Sequence, residues 1–339
     1  MSRKNKLHDA ERYAVLAAVY AKDGTGISNA NVGAYRTKTV KAGEYLYVSC
    51  YPLIAQVQKR EQDKALEMLR HEKRIGRLMV YARHNNKQRM LRFEQLVHAN
   101  FGKGDFHVTC TYGPIEYGMP NTEADYRDRE QAKKDVRNYI ARVKRLLKRH
   151  GCNVDEFRWI AVTVTKEYDK EAMRPFPDFH HHHMLMHGIP EELRGEVERL
   201  WPFGYCNADR LQPDDKGISA VANYIARQEG SANGSHAPGE KSYTGSLNLK
   251  KPAVTTSDSK ISRRRAAQIA DDVRGNAWEI FGKIYPGYQL VEQPVVQTSD
   301  FVAGGYIYAK LRIRSEGGNA YGKDQSGLVR KARNLEGEV

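Results

Sequence analysis

Two consecutive stretches, Phe157 to Tyr168 and Phe179 to His187, both have the composition of strands, and only residues 169–178 connect them. Parallel neighbours need a crossover of a dozen residues or more, usually helical, so these two strands are expected to pair antiparallel. That argues against a doubly wound sheet and for an α+β fold. In "FRWIAVTVTKEY" the period of two puts Ile160, Val162 and Val164 on one face and Ala161, Thr163, Thr165 and Glu167 on the other.

The surrounding pattern supplies the helices. "EQAKKDVRNYIARVKRLLKRHG" (Glu130 to Gly151) aligns Val136, Tyr139, Ile140, Val143, Leu146 and Leu147 in one apolar stripe, and Gly151 is placed to end the helix. "FGKGDFHVTCTYG" (Phe101 to Gly113) reads as a glycine turn followed by a strand. Ile189 to Trp201 reads as a short helix with Pro190 near its start, and Asp215 to Gly230 as a longer one. Nearer the N-terminus, Tyr35 to Ile54 alternates as β structure around a turn at Ala42-Gly43, and residues 57–99 carry charge at helical spacing. Residues 231–260 read as loop and 262–285 as helix, and from about Ser299 the polar chain is expected to be a flexible tail. The expected fold is a central antiparallel β-sheet with helices packed on it, plus N- and C-terminal extensions. The expected organisation is a basic N-terminal region (1–99), a central domain (100–235), a basic helical region (236–300) and the tail (301–339).

Charge narrows the partners. The 339 residues carry 55 Lys and Arg against 41 Asp and Glu, a net charge of +14, which favours a polyanion, nucleic acid ahead of a membrane surface. No run is long enough to span a bilayer. The apolar run Tyr13 to Ala21 is short, and Asp9 and Glu11 interrupt the basic stretch before it, so a cytoplasmic protein is expected rather than a secreted one. The four cysteines (Cys50, Cys110, Cys152, Cys206) form no C-x-x-C pair and are expected to be reduced thiols.

The most unusual stretch is "DFHHHHMLMHG", Asp178 to Gly188. On a strand, His181, His183, Leu185 and His187 share one face, and His180, His182, Met184 and Met186 share the other. Same-face neighbours lie ~7 Å apart, close enough for two imidazoles to meet one cation. Glu167, at the end of the preceding strand, is a candidate third ligand. Two histidines and a carboxylate suit a divalent cation with open coordination positions, as phosphate activation requires. A solvated histidine cluster, or imidazoles bonded to the backbone, is the plainer alternative. Tyr224, in "VANYIARQ", has Arg227 one helical turn further on. A tyrosine beside a cation can attack phosphorus, although most helical tyrosines are packing residues. Basic clusters at Lys133 to Arg149, at Lys260 to Arg265 and within residues 58–77 offer phosphate contacts or merely solvated faces. Lys144, Arg145, Lys148, Arg149, Arg263, Arg264 and Arg265 are the candidates for binding DNA.

These pieces occur in the order found in one family. The chain resembles the rolling-circle replication initiators of the His-hydrophobic-His (HUH) endonuclease class, in the phage and plasmid branch related to filamentous-phage gene II-type proteins. The resemblance rests on "HANFGKGD" with "FHVTCTY" (His98 to Tyr112), on His181, His182 and His183 running into Met184 to Met186, and on Tyr224 to Arg227. Flanking text such as "NADRLQPDDKG", "NLKKP" and "IYPGY" extends it over roughly residues 35–290. It implies an RRM-like core and a site-specific single-strand DNA endonuclease. Tyr224 would be the nucleophile and Arg227 would orient or neutralise the phosphate, with Mg²⁺ or Mn²⁺ held by His181, His183 and Glu167. It further implies origin DNA as substrate, and a host polymerase and helicase as partners. Two positions depart from the family pattern. Arg227 stands where a lysine is usual, and His182 stands where an apolar residue is usual. The second departure leaves His180 and His182 as an alternative ligand pair; parity away from Met184 and Met186 favours His181 and His183. A related relaxase or transposase, or a non-catalytic DNA-binding regulator, are the alternative readings.

Overall fold

The computed structural model describes residues 32–54, 76–112, 129–166, 179–230, 243–271, 276–299 and 302–314. The chain forms two compact units, one from residues 73–253 and one from the segments on either side, 1–72 and 254–339. Each contains one antiparallel sheet, so the fold is α+β.

The flanking unit begins with strands β1 (Val32–Ala42) and β2 (Tyr45–Ile54), which pair antiparallel across a turn at Gly43. Gly43 has φ of 59°, a left-handed conformation that costs a residue without a side chain little. The chain then forms the central unit. Helix α1 (Gly76–Asn100) leads to β3 (Phe106–Thr111), and α2 (Arg129–Arg149) is followed by β4 (Arg158–Lys166) and β5 (Phe179–His187). A short 3₁₀ turn (Glu191–Leu193) after Pro190 runs into α3 (Arg194–Arg199), then β6 (Cys206–Arg210), α4 (Ser219–Gly230) and β7 (Thr244–Gly245). The strand order is β6-β3-β5-β4-β7. β4 and β5 pair antiparallel, Trp159 opposite Met186 and Val162 opposite His183, as the short connection requires.

Both faces of this sheet are covered. The stripe of α2 packs Val136, Tyr139, Ile140, Val143, Leu146 and Leu147 against Met184, Met186, Val108, Trp159 and Ala161. Gly151, at φ 71°, ends that helix: its N–H donates to the Lys148 carbonyl (3.2 Å) and the Cys152 N–H to that of Leu147 (2.9 Å). On the opposite face, Ile160, Val162, Val164 and Leu185 pack with Ile218, Ala222, Ile225 and Ala226 around α4 and with Phe93 and Val97 of α1. Leu185 is as deeply buried as its methionine neighbours, so both faces of β5 enter a core.

Beyond the central unit the chain returns through β8 (Ala253–Ser257), α5 (Arg263–Ala270), α6 (Asn276–Ile284), β9 (Tyr288–Leu290), β10 (Val295–Ser299) and β11 (Val302–Ile313). The sheet order here is β10-β11-β2-β1-β8, with β9 also on β11. Leu46, Val48 and Cys50 of β2 share one core with Ile307, Ala309 and Leu311 of β11 and with Ala266, Ile269, Ala277 and Phe281 of the two helices. The segment beginning at residue 301, expected to be a flexible tail, thus supplies strand β11, and the stretch expected to be loop supplies β7 and β8. Alternate buried residues drive this: Gly305, Ile307, Ala309 and Leu311 face the helices, a period-2 pattern obscured in the sequence by paired glycines and interleaved Tyr and Lys. The expected regions 1–99, 236–300 and 301–339 each contribute strands to this one sheet. The apolar run Tyr13 to Ala21, the basic stretch 58–75 and the turn at Arg174 to Pro177 lie outside the described residues. No described helix is long and apolar enough to cross a membrane.

Candidate active site

Strand β5 hands its histidines alternately to the two faces. His182 is completely buried on the α2 side, in a closed hydrogen-bond chain. Its Nδ1 lies 3.1 Å from the Thr163 hydroxyl and its Nε2 3.1 Å from the Tyr112 hydroxyl, which donates to Asp135 at 3.0 Å. Trp201 and Tyr112 pack edge-on against its ring. Burial, reinforced by the three neighbouring imidazoles, depresses its pKa to about 3, so the ring is neutral. A ring with both nitrogens engaged, sealed among aromatics, is a structural group. His182, which with His180 forms the alternative ligand pair, has both ring nitrogens engaged in this arrangement.

His181 and His183 share the other face. Their rings meet edge to face with centroids 5.0 Å apart. Helix α4 positions Tyr224 over them, its ring centroid 5.2 Å from that of His183. The helix is seated by Ala222, Ile225 and Ala226 in the core, and its start is held from α1: the Ile218 N–H donates to His98 Nε2 at 3.3 Å and the Ser219 hydroxyl to Glu94. Tyr224 itself is 47% exposed. A phenol packed on an imidazole yet open to solvent is accessible to a large substrate. Arg227 lies on α4 one turn beyond Tyr224, its side chain outside the described residues.

Pattern reading missed His107. From the adjacent strand β3, its Nε2 lies 3.3 Å from His183 Nδ1, and the two rings stack at 5.3 Å, 26° from parallel. Thr109 places its hydroxyl 3.3 Å from the same nitrogen. Desolvation lowers the His107 pKa, partly opposed by the negative charge of Asp209. The signal was present in "FHVTCTY", where His107, Thr109 and Thr111 share a parity, but it has meaning only once β3 is known to pair with β5. His187, on the same face of β5, is tied down separately by Asp105 at 2.8 Å.

His181 and His183 present two imidazoles on one face of β5. Among the described residues no group of three or more His, Cys, Asp and Glu is arranged to hold a metal ion. The expected carboxylate ligand, Glu167, lies outside the described residues. The register of β4 pairs Thr163 with His182 and Val162 with His183, so within Arg158–Lys166 the odd-numbered positions share a face with His182; Glu167 follows the end of that strand.

The basic candidates are dispersed. Lys144, Arg145, Lys148 and Arg149 are exposed on α2, which covers the sheet face opposite Tyr224. Arg263, Arg264 and Arg265 are exposed at the start of α5 in the other unit. All four cysteines are free thiols; Cys110 and Cys206 sit side by side on β3 and β6 with sulfurs 3.3 Å apart.

Residues 105–229 match the family model for replication-associated proteins of the ORF2 and gene II protein type. The matched segment begins just before β3 and runs almost to the end of α4, so it contains His107, His181, His183 and Tyr224. No curated protein and no solved structure matches the chain. The match supports a role in initiating replication, in a phage or plasmid setting, with origin DNA as the implied partner.

Proposed function

We propose, from that replication-associated segment as premise, that this protein nicks and rejoins single-stranded origin DNA through Tyr224. The observation that carries the reading is the placement of the Tyr224 ring against His183, on the face His183 shares with His181. The Tyr224 hydroxyl attacks the scissile phosphorus in line. The Oη–P bond forms as the P–O3′ bond breaks, and the proton lost by tyrosine balances that gained by the departing 3′-oxygen. The products are a 5′-phosphotyrosine link and a free 3′-hydroxyl, the primer a host polymerase would extend while a host helicase opens the duplex. Attack of a 3′-hydroxyl on the phosphotyrosine reverses the step and rejoins the strand.

His181 and His183 would hold Mg²⁺ or Mn²⁺, with Glu167 the expected third ligand, and such a cation would polarise the phosphate and offset its developing charge. Arg227 would neutralise a second phosphate oxygen. The exposure of Tyr224 gives an extended strand access, and α4, pinned at its start by Glu94 and His98, fixes the direction from which the phenol approaches.

The test is a denaturing gel of the protein incubated with single-stranded origin oligonucleotides and Mn²⁺. The wild-type chain should form a covalent adduct, and Tyr224→Phe should form none while still retaining the oligonucleotide in a native gel shift. Adduct at the wild-type level in Tyr224→Phe would sink the proposal.

A further inference from the structure

We propose that His107 is a positioning residue that sets the tautomer of His183, so that His183 presents Nε2 to a cation. The inference rests on the reading of His183 as a ligand given above.

An imidazole ligates through a bare nitrogen, and its other ring nitrogen must then carry the proton and find an acceptor. Nδ1 of His183 has two neighbours, His107 Nε2 and Thr109 Oγ1, each at 3.3 Å. A hydroxyl can donate or accept, so Thr109 is compatible with either tautomer. His107 discriminates. With its own proton on Nδ1 it can only accept at Nε2, and so it selects the His183 form protonated at Nδ1. A cation bound by His183 is then bound through Nε2.

The sheet fixes this geometry. His183 lies opposite Thr109 on β3, while His107 lies opposite Leu185, the next residue on the same face of β5. The stacked rings are held at 5.3 Å by that diagonal relation. On the other side of β3, His107 is paired with Asp209 of β6. Cross-strand partners share a face, and the Asp209 carboxylate, which accepts from Asn207 at 2.6 Å and faces Arg194 at 3.5 Å, acts on the imidazole through its charge, without a hydrogen bond to it, from the side away from His183. A negative charge there favours the proton on the far nitrogen of His107 and leaves Nε2 as the acceptor. Metal-ligating histidines commonly pass their other ring proton to a carboxylate, a carbonyl or water; here His107 Nε2 would be that acceptor for His183.

Two readouts test it on the full chain. The first needs no metal: ring ¹⁵N shifts in histidine-labelled protein, with His183 assigned by its loss in His183→Ala. The wild type should show His183 protonated at Nδ1. In His107→Phe the Thr109 hydroxyl can donate instead, and His183 should shift to the Nε2-protonated form. His107→Gln, which keeps an acceptor at the same reach, should preserve the wild-type tautomer and also controls for folding. The second readout is Mn²⁺ affinity by calorimetry, expected to fall ~10–100-fold in His107→Phe and only a few-fold in His107→Gln.

An unchanged His183 tautomer in His107→Phe would overturn the proposal. So would loss of Mn²⁺ binding in both His107 variants as complete as in His183→Ala, since that would make His107 itself a ligand. Mn²⁺ affinity unaffected by His183→Ala would instead sink the metal reading of the site, while the tautomer shift still decides the hydrogen bond.

Discussion

The two faces of β5 carry the same residue type to opposite ends. On the α2 side, His182 is locked between Thr163 and Tyr112 and sealed by Trp201, beside the buried Met184 and Met186. On the α4 side, His181 and His183 meet each other, His107 and a half-exposed tyrosine. A buried imidazole whose nitrogens both have fixed partners holds a fold together, whereas imidazoles clustered under an accessible phenol can serve chemistry. One residue of offset along a strand separates the two roles, because successive side chains point to opposite faces.

That contrast can be broken by substitution. The largest effect is expected from His183→Ala. Strand-transfer rate should fall further than the ~10–100-fold typical of losing an outer-shell partner, with little change in melting temperature. A large loss of stability without loss of rate would make the α4 face as structural as the other. Next comes Met186→Ala on the sealed face, expected to cost about 2–5 kcal/mol in urea unfolding while leaving adduct yield per folded molecule intact. Tyr112→Phe should cost about 1–3 kcal/mol, because it removes the hydroxyl that serves both His182 and Asp135. A neutral result there would mean that the hydrogen-bond chain through His182 contributes nothing. Smallest is the joint replacement of Lys144, Arg145, Lys148 and Arg149 by alanine. These exposed residues should leave stability within about 0.5 kcal/mol, but weaken binding of long DNA and make it less sensitive to salt. An unaltered salt dependence would show that α2 presents only a solvated face.

Much of the central unit could be read from local periodicity. The α2 stripe, the antiparallel turn from β4 to β5 and the sorting of histidines by parity all depend on residues close in sequence. The sharing of a face by His181, His183 and the α4 helix was only partly readable. Parity separated His181 and His183 from the methionines, but Leu185 on their own face gave the sole hint that a second layer covers them. His107 was hidden for a different reason. A single histidine in an alternating strand has no local pattern, and its meaning depends on the register of β3 against β5. The flanking unit was least readable, because β11 pairs with β2 from the far end of the chain, Ile307 opposite Cys50.

By itself the sequence determined the periods: where the backbone is helical or extended, and which residues leave each strand on the same side. Those follow from stereochemistry that acts over a few residues. Only the tertiary structure decided which strands meet, which face each helix covers and which side chains converge. Those depend on burying apolar surface contributed by distant segments, and no local pattern encodes the partner. The histidine run therefore announced a strand with two faces, and the packing of α2 on one and α4 on the other decided which imidazole is sealed in the core and which meets Tyr224.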